Sequence, residues 1–272
     1  MNMFKQKKSL GQNFLINDKI LPEILKAAEI KKDEVIIEVG PGLGILTSAL
    51  LDKGAKVWAI EKDFELIETL KKALGHHKNL KIIHQDALFF DLSTLKKYKV
   101  VANLPFNIAS PLIRKFLESA NQPELMVVMM QKEVAEKIVA QPGNSERGIL
   151  TLAVEFYADA EIITDVPKIS FRPQPKVDAA VIKIKPYPHF GSEGKQVEPE
   201  LFFKIVKAGF SAKRRQIHNS LEATLKIDKN VVIDILKKSK IDPMLRAEDL
   251  SLKEWLNLCQ AVAKDDILKT NE

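Results

Sequence analysis

Asn103-Leu104-Pro105-Phe106 sets a side-chain amide, a proline and an aromatic ring in four consecutive residues. The exocyclic amine of adenine is a poor nucleophile, because its lone pair is delocalised into the ring. A carboxamide oxygen at Asn103 and a backbone carbonyl at Leu104 or Pro105 can accept its hydrogens, which favours a pyramidal nitrogen with an available lone pair. Phe106 can stack on such a base and hold it out of its helix. This chemistry needs no general base with a pKa near 7, in keeping with the lack of a nearby His or Cys. Rate would come from positioning and electrostatics.

Upstream, the apolar run Val35-Ile36-Ile37-Glu38-Val39 leads into Gly40-Pro41-Gly42-Leu43-Gly44. A dinucleotide fingerprint needs glycines at relative positions one, three and six. Here they stand at 40, 42 and 44, and position 45 is Ile. No Gly-Lys-Ser/Thr occurs either, so a P-loop is excluded. Close backbone approach without pyrophosphate recognition suits a nucleoside with an uncharged or zwitterionic tail, and S-adenosylmethionine is the common ligand of that kind. Two acids sharpen this. Glu61 closes a second strand, where it can accept from vicinal ribose hydroxyls, and Asp86 closes a third, where it can accept from an adenine amine. Glu61 would serve a nicotinamide cofactor equally well. That rival reading, an NAD-linked oxidoreductase, is opposed by Ile45 and by the missing acid–base partner.

These residues need a scaffold that brings strand ends together. Strands are expected at 35–39, 57–60, 80–84, 98–102, 125–130, 160–166 and 177–185, with helices between them. The last two strands are close enough in sequence to be antiparallel neighbours. The expected fold is α/β: a Rossmann-like seven-stranded methyltransferase sheet, with ligands over the carboxyl ends of its strands. After a breaker-rich linker at 186–197 the pattern becomes purely helical. The expected domains are therefore 1–190, catalytic, and 191–272, a helical RNA-binding or substrate domain.

Composition sets outer limits. At 272 residues with 46% hydrophobic content, the chain can bury a sizeable core. No run of about 18 apolar residues suggests a membrane span, and Met1–Leu10 lacks the apolar stretch of a secretory signal. One cysteine, Cys259, excludes an internal disulfide framework, fits a reducing cytoplasm and sits among apolar neighbours as a helix-core residue. Histidines 76, 77, 84, 189 and 218 show no ligand spacing, so no metal is expected. A net charge of +6 permits a nucleic-acid partner. Of the basic clusters (Lys5/Lys7/Lys8, Lys71/Lys72, Lys96/Lys97/Lys99 and Lys213-Arg214-Arg215), the last is the candidate phosphate contact. It follows the apolar stripe Phe202, Phe203, Val206 and Phe210, read as core.

With these motifs assembled, the chain resembles the ribosomal RNA adenine dimethylases over nearly all of residues 5–265. The resemblance rests on Gln12-Asn13-Phe14-Leu15, Glu38-Val39-Gly40-Pro41-Gly42-Leu43-Gly44, Glu61, Asp86-Ala87, Asn103-Leu104-Pro105-Phe106, Phe171-Arg172-Pro173-Gln174-Pro175-Lys176-Val177-Asp178 and Phe210-Ser211-Ala212-Lys213-Arg214-Arg215. It implies S-adenosylmethionine as cofactor, with Gln12, Asn13 and Leu15 covering it. Gly40, Gly42, Gly44, Glu61, Asp86, Ala87 and Asn103 would complete the cofactor site. It also implies that Phe171 forms the second face of an adenine clamp opposite Phe106. The helical tail, with Arg246-Ala247-Glu248-Asp249-Leu250, is similar to the branch that dimethylates two adjacent adenosines near the 3′ end of small-subunit ribosomal RNA. That branch usually has Tyr where Phe106 stands, so this chain keeps the stacking face without the hydroxyl. The implied partner is small-subunit rRNA within a partly assembled 30S particle, with a role in subunit biogenesis, for a cytoplasmic monomer. The resistance branch, which modifies large-subunit RNA, shares the catalytic motifs and is the alternative. A ribosome-assembly factor with secondary catalysis is the third reading.

Overall fold

The computed structural model describes residues 12–187 and 197–264. The basic cluster Lys5/Lys7/Lys8, His189 and most of the expected linker lie outside the described residues.

All seven expected strands are present: β1 (Val35–Val39), β2 (Lys56–Glu61), β3 (Leu80–His84), β4 (Lys99–Asn103), β5 (Leu125–Gln131), β6 (Ala158–Val166) and β7 (Ala179–Pro186). They form one sheet in the order β3-β2-β1-β4-β5-β7-β6. The first five are parallel, and β7 runs antiparallel to both β5 and β6. The inner strands are apolar on both faces because helices cover both: Ile36, Ile37, Val100 and Val101 are all fully buried. Those helices are α1 (Leu21–Ala28), α2 (Ile45–Asp52), α3 (Phe64–Leu74), α4 (Ala109–Glu118) and α5 (Lys132–Ile138). Asp63 caps α3 by accepting from the Glu65 N–H at 3.1 Å, and Leu66, Ile67 and Leu70 form its buried face.

A two-residue ladder, absent from the sequence reading, joins Phe14–Leu15 antiparallel to Phe171–Arg172. It fixes the N-terminal segment, whose place no regular pattern explained. The Ile16 N–H extends it by donating to the Ser170 carbonyl at 2.9 Å.

Helices α6 (Ile149–Tyr157), α7 (Pro199–Gly209), α8 (Ile217–Leu225), α9 (Lys229–Lys238) and α10 (Leu252–Lys264) make up the rest. Where the sequence places a single division near residue 190, the compact units interleave. One comprises the residues up to Glu136 together with Ala158–Pro186; the other comprises Lys137–Tyr157 and the residues from Tyr187 onward. Arg147 shows why the 137–157 insertion groups with the helices. Its fully buried guanidinium grips Glu155 through two bonds of 2.6 and 2.7 Å, and donates to the carbonyls of Ala140 and Leu250. Phe156 stacks on Phe202 at 4.2 Å, and Phe210 stacks on Trp255, so the apolar stripe is core. Among the described residues no helix is long and apolar enough to cross a membrane.

Candidate active site

Strand order reverses between β1 and β4, which leaves a crevice over their carboxyl ends. A cavity of about 190 Å³ opens there, and each of the four strands β1 to β4 delivers a polar or glycine terminus to it: Gly40, Glu61, Asp86 and Asn103. The N-terminal segment covers it. Gln12 donates to the Asp63 carboxylate at 2.9 Å, and the Asn13 carbonyl accepts from Asn103 Nδ2 at 3.2 Å.

The glycines do different work. Gly42, at φ +57°, lies so close beneath the N-terminal segment that a Cβ would stand 2.9 Å from the Phe14 ring. Gly44, at φ +85°, does not line the cavity. A Cβ there would stand 2.8 Å from Leu70 and 3.1 Å from Leu74, so this glycine lets α2 start against α3. The structure gives this glycine a packing role beside the cofactor contact expected of it.

Glu61 is buried, and its Oε1 accepts from the N–H groups of Lys62 and Asp63, both at 2.8 Å. Burial raises its pKa above the ordinary carboxylate range. Asp86 is held below that range by the Lys62 ammonium, 2.8 Å from its Oδ2, while its Oδ1 accepts from the Leu88 N–H at 3.0 Å. Asp86 is thus both cavity wall and cap of the short 3₁₀ turn Ala87–Phe89.

Glu38 is a buried acid of the cavity wall that the sequence reading does not single out. Its carboxyl lines the cavity, is 1% exposed and accepts from Thr47 Oγ1 at 2.7 Å. Burial, reinforced by the neighbouring Glu61 charge, pushes its pKa up to about 8. The signal was present: an acid inside an otherwise apolar central strand is rarely buried without a task. Among the described residues Glu61 and Asp86 face a single lining ammonium, that of Lys62, while burial keeps Glu38 largely protonated. This acidic balance suits a ligand with a sulfonium and an ammonium group and disfavours a pyrophosphate.

At the other end of the cavity, Asn103 Oδ1 is buried without a hydrogen-bond partner. The Pro105 carbonyl is taken by the Ile108 N–H at 3.0 Å, whereas no donor among the described residues reaches that of Leu104. Two acceptors therefore remain for an incoming amine, beside the Phe106 ring. Phe171 meets Phe106 edge to face, with centroids 6.1 Å apart and planes at 69°. It is 2% exposed, because the ladder with Leu15 tucks it into the core. The two rings thus stand side by side at a steep angle at the position where the resemblance places an adenine clamp. Lys213, Arg214 and Arg215 do not line the cavity; they are exposed in the turn between α7 and α8 and make no ion pair among the described residues. Cys259 is buried in α10, its thiol pushed up to about 12 by burial. Among the described residues no group of His, Cys, Asp or Glu could hold a metal ion.

The strand order and the acidic, glycine-edged crevice define a Rossmann-like methyltransferase. The fold superposes on a dimethyladenosine transferase from Plasmodium falciparum with a TM-score of 0.81 at 28% identity, covering 93% of this chain and 98% of that one. It matches the 23S rRNA methyltransferase ErmE with a TM-score of 0.72 at 25% identity, covering 92% and 100%. Residues 3–264 match the family described as Ribosomal RNA adenine dimethylase, and the chain belongs to that family. Proteins named Ribosomal RNA small subunit methyltransferase A are 43% identical in Dehalococcoides mccartyi, over 94% of this chain and 88% of theirs. In Alkaliphilus metalliredigens the figures are 40%, 96% and 93%.

Proposed function

We propose that this enzyme uses S-adenosylmethionine to convert two adjacent adenosines near the 3′ end of small-subunit ribosomal RNA to N6,N6-dimethyladenosine. The observation that carries the chemistry is the buried, unpartnered Asn103 carboxamide oxygen beside Phe106. A buried acceptor in that state costs about 1–3 kcal/mol, a cost that an arriving amine relieves.

The cofactor, when bound, supplies a methyl group on a sulfonium sulfur that leaves as a neutral thioether. Everything else falls to the chain. Glu61 and Asp86 hold the nucleoside end, and the acidic field of the cavity favours the cationic end. Asn103 Oδ1 and the Leu104 carbonyl accept the two hydrogens of the target amine. They orient its lone pair without removing a proton in advance, and the amine proton passes to solvent after transfer. Once one methyl is in place a hydrogen remains for one of these acceptors, so the same pair serves the second transfer. Phe106 offers the stacking face.

Small-subunit RNA is favoured over large-subunit RNA by relatedness: 40–43% identity to the small-subunit enzymes against 25% to ErmE. The test is tritiated-methyl transfer to undermethylated small and large subunits, followed by nucleoside analysis. Dimethyladenosine in small-subunit RNA is expected, with partly assembled particles a better substrate than bare RNA. Label confined to large-subunit RNA would overturn the substrate assignment.

A further inference from the structure

We propose that Phe89 is a stacking platform for an unpaired base of the RNA substrate, next to the adenosine being methylated. This rests on the RNA-methylation reading above.

At 77% exposure, Phe89 is the most exposed large apolar side chain among the described residues. A lone exposed aromatic is ordinary on a protein surface; the backbone beneath this one is not. Phe89 ends the 3₁₀ turn Ala87–Phe89, and every carbonyl from Asp86 to Phe90 accepts a hydrogen bond. The Asp86 carbonyl takes the Phe89 N–H at 2.9 Å. The Phe89 carbonyl takes Gln85 Nε2 at 3.1 Å. The remaining three converge on one ammonium: Lys115, reaching from α4, donates to Ala87, Leu88 and Phe90 at 2.9, 2.8 and 2.6 Å. All three ammonium hydrogens are engaged on a single turn, and burial draws the Lys115 pKa down. Phe90 anchors the far side by packing inward.

A turn fixed this firmly could have carried any polar residue outward, yet it presents a phenyl ring. Rigid presentation lowers the ordering cost of binding, and aromatic stacking accepts any base because each has a π face. The position fits. Gln85, Asp86 and Ala87, immediately before Phe89, line the cavity. The helix that carries Lys115 begins at Ala109, directly after the catalytic loop Asn103–Ile108. Residues 85–87 and the Asn103–Ile108 loop line the same cavity, and Phe89 stands two residues beyond its wall.

The experiment compares the parent enzyme with Phe89→Ala and Phe89→Trp. Kinetics on undermethylated small subunits, calorimetric cofactor binding and tryptophan fluorescence with small-subunit RNA are measured on each. Phe89→Ala should raise KM for the subunit about 5- to 100-fold, the range of one lost base–aromatic stack. Its kcat and cofactor affinity should stay within about twofold. Phe89→Trp should restore KM, and its added indole should be quenched by RNA. An unchanged KM in Phe89→Ala overturns the proposal. So does an equal fall in kcat or cofactor affinity, which would make Phe89 a prop for Asp86. Self-association of the parent that is lost in Phe89→Ala also overturns it, since the ring would then bind a second copy. Quenching is read without turnover. A parent inactive on both subunits therefore refutes the methylation reading, while the platform is still judged by the indole signal.

Discussion

Asn103 and Asn13 are joined by one hydrogen bond, Nδ2 to carbonyl at 3.2 Å, and this bond fixes the Asn103 carboxamide against the N-terminal segment. With its nitrogen committed to the N-terminal segment, the amide leaves its oxygen buried and without a hydrogen-bond partner among the described residues. The segment that lines the cavity is thus tied to the carboxamide proposed to receive the target amine, so displacing one would disturb the other.

Asn103→Ala removes that acceptor and the bond to the Asn13 carbonyl, but Gln12 still holds the segment through Asp63, and Glu61 and Asp86 are untouched. Methyl transfer should fall by about 100-fold or more, as for other lost transition-state contacts, while the Kd for S-adenosylmethionine changes only a few-fold. Single-turnover transfer measured alongside calorimetric binding checks both. Undiminished turnover would remove Asn103 from the mechanism.

Glu38 makes stability depend on pH in a definite direction. Its carboxyl titrates at about 8 in the fold against an ordinary 4.5. Between these values the folded chain holds one more proton than the unfolded chain, so stability falls as pH rises through the window. Glu38→Gln has no such proton to lose. The variant should therefore gain on the parent from pH 5 to pH 9, by on the order of a few kcal/mol. Glu61, whose pKa is also raised, stays in both proteins, and its coupling to Glu38 is part of the difference measured. Thermal melts of the pair across this range are the check; parallel curves would mean that Glu38 is ionised throughout.

The sheet was legible because its signals are local. Apolar runs of strand length alternate with amphipathic helices, and the site residues stand at strand ends, where a parallel sheet gathers them. What escaped depends on distant contacts. The 137–157 insertion joins the helical unit through Arg147, whose partner Leu250 lies far along the chain. The burial of Phe171 follows from its ladder with Leu15, which no local pattern announces. Glu38 stands within a recognisable motif but is masked by the apolar strand around it. Gly44 shared its glycine spacing with two residues of the cavity wall while serving helix packing, a difference that only the third dimension reveals.

Gly42 and Gly44 can be told apart by substitution. Both have positive φ, so alanine strains each backbone by about 1 kcal/mol or more. Gly44→Ala also drives a methyl into Leu70 and should lower Tm by several degrees while leaving cofactor affinity in the remaining folded protein nearly intact. Gly42→Ala pushes on Phe14 and should weaken cofactor binding by about tenfold or more, because the displaced segment carries Gln12 and Asn13. Calorimetric Kd values below each variant's melting transition separate the two. Equal losses of affinity would return Gly44 to the cofactor site.

Lys213, Arg214 and Arg215 are exposed and without carboxylate partners, so their charges are available to phosphates. Each phosphate contact to structured RNA releases condensed counterions, which makes binding weaken with salt at a slope of about 0.7 to 0.9 per contact. Replacing all three by Gln should therefore weaken RNA binding and flatten the plot of log Kobs against log salt by about two to three units. Methyl transfer at saturating RNA should hold, since none of the three lines the cavity. Filter binding at several salt concentrations gives the slope directly. An unchanged slope would make the triplet a solvated surface and move the search for phosphate contacts to other basic positions of the chain.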